Sequence, residues 1–287
     1  MKFTKMHGCG NDYIYVDCTT APMADPSAFS VKYSDRHKGI GADGLITINP
    51  SDVADFRMAM YNADGSEGAM CGNGIRCVAK YVYDKGLTDK THLTIETKAG
   101  LKTLDLTVED GKVTKVRVDM GPATTAADQI PVVGLGDEVI HKPVKVAGQD
   151  WYMTCVSVGN PHAVVFVNNI AHMDLTSVGP KFEYHPMFPD RVNTEFAHII
   201  DRKHIEMRVW ERGSGETMAC GTGATATAYA AWKCGLADKK VTVHLLGGDL
   251  EIEFDEKRGT MLMTGPATTV FEGEVEDGKE AYCNAHD

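Results

Sequence analysis

Two stretches of the chain carry helical periodicity. After Gly74 the apolar residues Ile75, Val78, Ala79 and Val82 fall at i, i+3, i+4 and i+7, and Gly86 follows where a helix stop belongs. Residues 224–234 are alanine-rich nearly all round and run into Gly235, the pattern of a helix enclosed on every side by its own domain. Elsewhere polar and apolar positions alternate, or short apolar runs occur at 13–16 and 163–166. Residues 13–16, 91–97, 112–120, 163–166, 241–246 and 250–254 read as strands.

The two helices are marks in a longer repeat. Without a gap, residues 10–90 fall on residues 159–239 at a constant offset of 149. Gly10-Asn11 meets Gly159-Asn160, and Cys71-Gly72-Asn73-Gly74 meets Cys220-Gly221-Thr222-Gly223. Glu67 meets Glu216, Gly86-Leu87 meets Gly235-Leu236, and Asp89-Lys90 meets Asp238-Lys239. With a short deletion, Gly121-Pro122-Ala123-Thr124-Thr125 recurs as Gly265-Pro266-Ala267-Thr268-Thr269. A shared order of marks over this length predicts a duplicated domain. The expected fold is α/β of the α+β kind, with two pseudo-symmetric domains, each a mostly antiparallel β-sheet or barrel around a central helix. Residues 1–121 plus 268–287 form one half and residues 122–267 the other, and a cleft between such halves is a natural ligand site.

At 287 residues there is chain enough for two cores, and 43% hydrophobic with 24% charged residues is ordinary for a globular protein. A net charge of -11 argues against a nucleic-acid footprint but leaves room for an anionic small molecule held by one arginine. No apolar run suits a signal peptide or a membrane span, so the expected location is cytoplasmic, with no membrane partner. The 8 cysteines are then expected as thiols. They form no Cys-x-x-Cys pair and no paired Cys/His cluster, so no metal is expected.

Two of the thiols stand out. Cys71 and Cys220 each immediately precede the central helix of their half. The first turn of a helix offers unpaired N–H groups and a partial positive charge, which lower a cysteine pKa and bind carboxylates. The neighbouring glycines let a ligand approach the backbone. Two such ends facing one another would hold a carboxylate whose α-carbon has a thiol on each side. One thiolate removes the α-proton and the other thiol returns a proton to the opposite face, which is the machinery of a racemase or epimerase. Cys9, Cys18, Cys77, Cys155, Cys234 and Cys283 read as small buried hydrophobes.

At these positions the sequence resembles the diaminopimelate epimerases, within a superfamily that also holds proline racemases. The resemblance runs from end to end. It rests on Gly8-Cys9-Gly10-Asn11-Asp12, Asn62-Ala63-Asp64-Gly65-Ser66-Glu67, Met70-Cys71-Gly72-Asn73-Gly74, Gly159-Asn160-Pro161-His162 and Glu211-Arg212-Gly213 leading to Cys220. Proline racemases generally carry His where Asn73 stands here, which favours the diaminopimelate branch. The resemblance implies interconversion of LL- and meso-diaminopimelate, a step towards lysine and cell-wall peptide, with no cofactor. It implies Cys71 and Cys220 as the acid/base pair, Cys220 accepting the proton and Cys71 donating in the LL to meso direction. Gly72, Asn73, Gly221 and Thr222 would bind the reacting carboxylate, and Asn11, Asn62, Asn160, Asn193 and Arg212 the distal amino-acid group. Glu211 would lie near the reacting amine, and with His162 would tune the thiols. The family forms homodimers, and Phe271 occupies the place of an interface aromatic. One departure is Gly44, where members often carry Gln.

The residues leave rivals open. A proline or hydroxyproline racemase needs the same thiols but no distal site. A thiol–disulfide redox protein would use a local Cys-x-x-Cys rather than thiols 149 residues apart. An amino-acid-binding module without catalysis has no need of a thiol at both helix starts. The glycines of Gly39-Ile40-Gly41-Ala42-Asp43-Gly44 match a dinucleotide loop, but a polar segment precedes them and a strand follows, the wrong context for nucleotide binding.

Overall fold

The computed structural model describes residues 1–276. Cys283 and the end of the 268–287 segment lie outside the described residues. The first half runs β1 (Lys2–Gly8), β2 (Asn11–Asp17), α1 (Pro26–Ser34), β3 (Gly44–Asn49), β4 (Phe56–Asn62), β5 (Glu67–Gly68), α2 (Gly72–Asp84), β6 (His92–Thr97), β7 (Gly100–Glu109) and β8 (Lys112–Gly121). The second runs β9 (Lys142–Val146), β10 (Gln149–Ser157), β11 (Pro161–Phe166), α3 (Leu175–Glu183), β12 (Asn193–Asp201), β13 (His204–Glu211), β14 (Gly215–Thr217), α4 (Gly221–Lys233), β15 (Lys240–Leu245), β16 (Gly248–Asp255) and β17 (Thr260–Pro266), and a last strand, β18 (Thr268–Glu274), follows. None of the described helices is long and apolar enough to cross a membrane.

Strand pairing repeats with the sequence. The parallel pair β2–β3 aligns Tyr13 with Gly44, and its counterpart β11–β12 aligns His162 with Asn193, each residue 149 positions on. The parallel pairs β4–β6 and β13–β15 also correspond, though one residue out of the 149 register, and the other pairings among the described residues are antiparallel. The halves are joined where β8 pairs antiparallel with β17. After that junction the chain crosses back, since β18 pairs with β1 and β9 with β10.

The central helices lie where the periodicity places them, each starting a few residues earlier than their apolar pattern. Lys85 and Cys234 close α2 and α4, and Gly86 and Gly235 follow with φ of 74° and 72°, a left-handed turn that suits glycine. The apolar stripe Ile75, Val78, Ala79 and Val82 is fully buried against the inner faces of the strands. On β2, Tyr13 and Tyr15 face this inner core while Ile14 and Val16 face a second cluster beneath α1, the period of two expected for a strand covered on both sides. Trp151, Phe182 and Phe196 make the equivalent outer cluster under α3. Cys9, Cys18, Cys77 and Cys155 are buried, and Cys234 is half-buried with Sγ 3.3 Å from Thr154 Oγ1. The glycine run at 39–44 lies after α1 and before β3, the reverse of a dinucleotide loop.

α1 and α3 are additions to the sequence-based elements. Both start at an aspartate whose side chain takes a backbone N–H, Asp25 from Ala28 and Asp174 from Ser177, and these caps are again 149 residues apart.

Alanine in α4 lets the surrounding strands close on the helix, so added volume there has nowhere to go. Ala226 is 0% exposed. Ala226→Leu is expected to destabilise the protein by about 1–3 kcal/mol through overpacking, read as a lower urea midpoint.

Candidate active site at two helix starts

Cys71 is the N-cap of α2, with φ −127° and ψ 115°, and Cys220 is the N-cap of α4, with φ −121° and ψ 112°. Each sulfur accepts a backbone N–H from three residues on, from Gly74 and Gly223, at 3.3 Å in both copies. The caps meet across the molecule. A Cβ on Gly72 would lie 3.9 Å from the Gly221 Cα, so glycine at both positions lets the helix starts touch. Asn73 Nδ2 fastens them by donating to the Ala219 carbonyl at 3.0 Å.

The expectation that the helix starts lower both thiol pKa values is corrected. Burial pushes Cys71 up, and the N–H groups of Gly74 and Asn73 and the Tyr13 hydroxyl offset it only in part. Cys220 is pushed well above the ordinary thiol range, first by burial and then by the carboxylates of Glu211 and Glu195. Glu211 is itself pushed up by burial, against the hydrogen bonds from Thr217, at 2.5 Å, and from Cys220. Its negative charge also raises Cys71, so one carboxylate is felt by both thiols.

Around this pair the repeat breaks its symmetry. On the Cys71 side, Asn11 donates from Nδ2 to Asp43 at 2.8 Å, which turns its Oδ1 towards the Cys71 thiol, 3.1 Å away. Arg36 bridges Asp12 and Asp43, and Lys5 pairs with Asp12, bracing that loop. On the Cys220 side, Asn160 donates to Thr222 Oγ1 at 3.3 Å, and that oxygen lies 3.4 Å from Cys220 Sγ. His162 is fully buried, with Nε2 2.9 Å from Asn160 Oδ1 and Nδ1 2.6 Å from Glu195 Oε1. It reaches the thiol through Asn160 and Thr222 rather than by touching it.

The remaining sequence-derived positions divide by what their side chains do. Asn62 donates to Ser66 Oγ at 2.9 Å at the end of β4. Asn193 has both ends of its amide engaged, donating to the Pro161 carbonyl at 3.1 Å and accepting the Arg212 N–H at 2.8 Å. It therefore holds the backbone that carries Arg212. The exposed Arg212 guanidinium donates to the Asp190 carbonyl at 2.7 Å. Asn73 likewise has its amide occupied, donating to the Ala219 carbonyl and accepting from Arg76. Phe271 is away from the thiols, 46% exposed on β18 and edge-on to Phe3.

Tyr13, Glu195 and Thr217 were missed. The repeat holds the signal for two of them, because at the 149 offset Tyr13 stands on His162 and the apolar Ile46 stands on Glu195. Among the described residues no cluster of three His, Cys, Asp or Glu side chains is placed to hold a metal.

The sequence profile described as diaminopimelate epimerase matches residues 3–126 and 154–270. A diaminopimelate epimerase of Agathobacter rectalis is 58% identical over 96% of the chain and 99% of its own length. One of Acetivibrio thermocellus is 54% identical, again over 96% and 99%. Among solved structures, a hydroxyproline epimerase from Agrobacterium vitis superposes with a TM-score of 0.68 at 16% identity, covering 96% of this chain and 90% of that one.

A Cβ at Gly44 would overlap the carbonyl oxygen of Tyr61 on the paired strand. This backbone leaves no room for a side chain at position 44. Gly44→Gln is expected to lower stability by roughly 1–3 kcal/mol, measured by thermal unfolding, with no gain in substrate affinity.

Proposed function

The chain belongs to the diaminopimelate epimerase family, and from that premise we propose that it interconverts LL- and meso-diaminopimelate by exchanging the α-proton between Cys71 and Cys220. The observation that carries this reading is the pair of matched N-cap thiols on helices whose first residues touch at Gly72 and Gly221.

The reacting carboxylate lies at the two helix starts and takes the backbone N–H groups of Gly72, Asn73, Gly221 and Thr222. As the α-proton leaves, negative charge spreads onto that carboxylate, and the fixed N–H dipoles are already aimed at it. In the LL to meso direction Cys220 is the acceptor and Cys71 the donor. Burial, Glu211 and Glu195 raise the Cys220 thiol, so that its thiolate, once formed, is a strong base. His162 braces the Cys220 side through Asn160 and Thr222, and Glu211 lies beside both the thiol and the place for the substrate ammonium.

Asn11, Asn62, Asn160 and Arg212 hold the distal end of the substrate, with Asn193 fixing the Arg212 backbone. The guanidinium exchanges the Asp190 carbonyl for the distal carboxylate, a bidentate partner of matching shape. The working unit is a cytoplasmic homodimer that needs no cofactor, with Phe271 at its interface. Within each protomer, residues 1–121 plus 268–287 and residues 122–267 form the two halves, as suggested by the return of β18 to β1.

Incubation of the reduced enzyme with LL-diaminopimelate in deuterium oxide is expected to give meso product carrying α-deuterium. Cys71→Ala and Cys220→Ala should each lower epimerisation by roughly 10²–10⁴-fold, the usual share of one acid or base. Retention of epimerisation by either variant would sink the two-thiol reading, and exchange with proline instead would move the substrate.

The thiol shifts also set a pH dependence. A thiolate is the minor form when its pKa lies above ambient pH, so kcat/KM should rise about tenfold per pH unit over about pH 7 to 8. Removing the negative charge with Glu211→Gln lowers both thiols and moves that rising limb to lower pH. A limb that stays in place or moves up would refute the electrostatic role of Glu211.

A further inference from the structure

Arg76 is the largest fully buried side chain of the described residues, at 0% exposure in the second turn of α2. Its Nε donates to the Pro266 carbonyl at 3.0 Å, and Nη1 donates to the Gly72 carbonyl at 3.2 Å and to Asn73 Oδ1 at 3.1 Å. Nη2 faces the Cys9 sulfur at 3.7 Å. All of these acceptors are neutral groups. Among the described residues no carboxylate pairs with this guanidinium, whereas a buried charge ordinarily requires one.

The space around it is made for a cation. A Cβ on Gly8 would come within 2.9 Å of Nη2, and one on Gly265 within 3.1 Å of Cζ and Nε, so two strands carry glycine where they face the guanidinium. Nor are its hydrogen bonds to α2 the reason for a charge. At the equivalent position in the second copy stands Thr225, whose neutral hydroxyl donates to the Gly221 carbonyl at 2.8 Å, the counterpart of the Gly72 carbonyl that Arg76 takes. A neutral side chain satisfies that carbonyl in one half, and the other half keeps a cation.

Arg76 grips the Gly72 carbonyl and the Asn73 side chain, at the helix start whose N–H groups the proposed function assigns to the reacting carboxylate. We propose that Arg76 is the fixed counter-charge of that carboxylate, acting from beneath the floor formed by Gly72 and Asn73. It is a positioning residue. It touches neither the substrate nor the reacting thiols of Cys71 and Cys220, and it works by holding that helix start and by placing a positive charge with no carboxylate partner behind it. Its attraction for the carboxylate grows as charge builds there during proton removal, in a region from which burial has removed solvent screening. This inference rests on the diaminopimelate reading for the identity of the anion.

The test neutralises the charge without removing the arginine. Cys9 has a φ of 55°, a left-handed conformation that Asn and Asp tolerate, and its sulfur lies beside Nη2. Cys9→Asp sets a carboxylate against the guanidinium, and Cys9→Asn is its neutral match in size. The Cys9→Asn variant is expected to keep kcat within about threefold of the parent, and the Cys9→Asp variant to lose at least about tenfold in kcat for LL-diaminopimelate, a fraction of the 10²–10³ that removal of a direct oxyanion donor costs. Both should retain the parent's circular dichroism and melting cooperativity, because the introduced carboxylate is paired with the guanidinium and the introduced amide carries no charge.

Arg76→Lys and Arg76→Gln form the second arm. A charge role makes the lysine variant clearly more active than the glutamine variant, whereas a purely mechanical clamp makes them equal. Equal kcat in the Cys9→Asp and Cys9→Asn proteins, or in the Arg76→Lys and Arg76→Gln proteins, would overturn the proposal. Absence of α-deuterium exchange with diaminopimelate in the unmodified enzyme would instead defeat the family reading on which it rests.

Discussion

The contact on which the site depends is the meeting of two helix N-termini at Gly72 and Gly221. Helix starts carry partial positive charge, so bringing two of them together is unfavourable unless an anion or a set of acceptors lies between them. The protein supplies part of the answer itself, through two cysteine sulfurs that accept N–H groups and through Asn73, whose side chain donates to the Ala219 carbonyl. Glycine at the contact keeps side chains out of the gap. The first turn of a helix has more N–H groups than these acceptors take, and in the proposed reaction the substrate carboxylate completes them. The rest of the fold, with strands wrapped round two helices and the two parts joined at β8–β17, serves to hold those ends against each other.

Duplication supplies two thiols in equivalent geometry, but the surroundings have diverged in charge. Tyr13, Ile46 and Asn62 of one copy stand where His162, Glu195 and Glu211 stand in the other, and Arg76 stands where the second copy has Thr225. The carboxylates therefore collect at Cys220 and the buried cation under Cys71's helix. A substrate that differs at its distal end is not a mirror image of its epimer, so the two thiols do not face equivalent tasks. Divergence of this kind lets each thiol be adjusted separately while the shared backbone keeps the two capping distances at 3.3 Å.

Much of this was legible in the chain because duplication writes the fold twice. Register at Tyr13–Gly44 and at His162–Asn193 follows the 149 offset, and both thiols sit at the helix starts that the periodicity marks. The short helices α1 and α3 were not legible. α1 has almost no amphipathic bias, and α3 carries Gly179 and Pro180 within it, so only their aspartate caps betray them. The thiol ionisation was misread for a different reason. A helix start is visible in sequence, but the depth of burial that outweighs it is set by strands distant in the chain, and Glu195 comes near Cys220 only through the β11–β12 pairing. Asn193 and Asn73 illustrate the same limit, since residue type shows a polar group while only the fold shows that its hydrogen bonds are already taken.

A raised thiol pKa looks unfavourable for a cysteine that must act as a base, yet it suits this reaction. The α-proton of an amino acid is far less acidic than a thiol, so the difficulty lies in the driving force of proton transfer rather than in the supply of thiolate. Raising the thiol by burial reduces the thiolate fraction by the same factor by which it strengthens each thiolate, and proton transfer recovers part of that factor. The larger effect comes from the other partner. The same burial that raises Cys71 and Cys220 removes the solvent that would screen the helix-start N–H groups, so the charge developing on the carboxylate meets them at full strength. Burial thus acts on both ends of the transferred proton, and a fold that enclosed the thiols less deeply would gain thiolate at the expense of the stabilisation that makes the carbanion accessible.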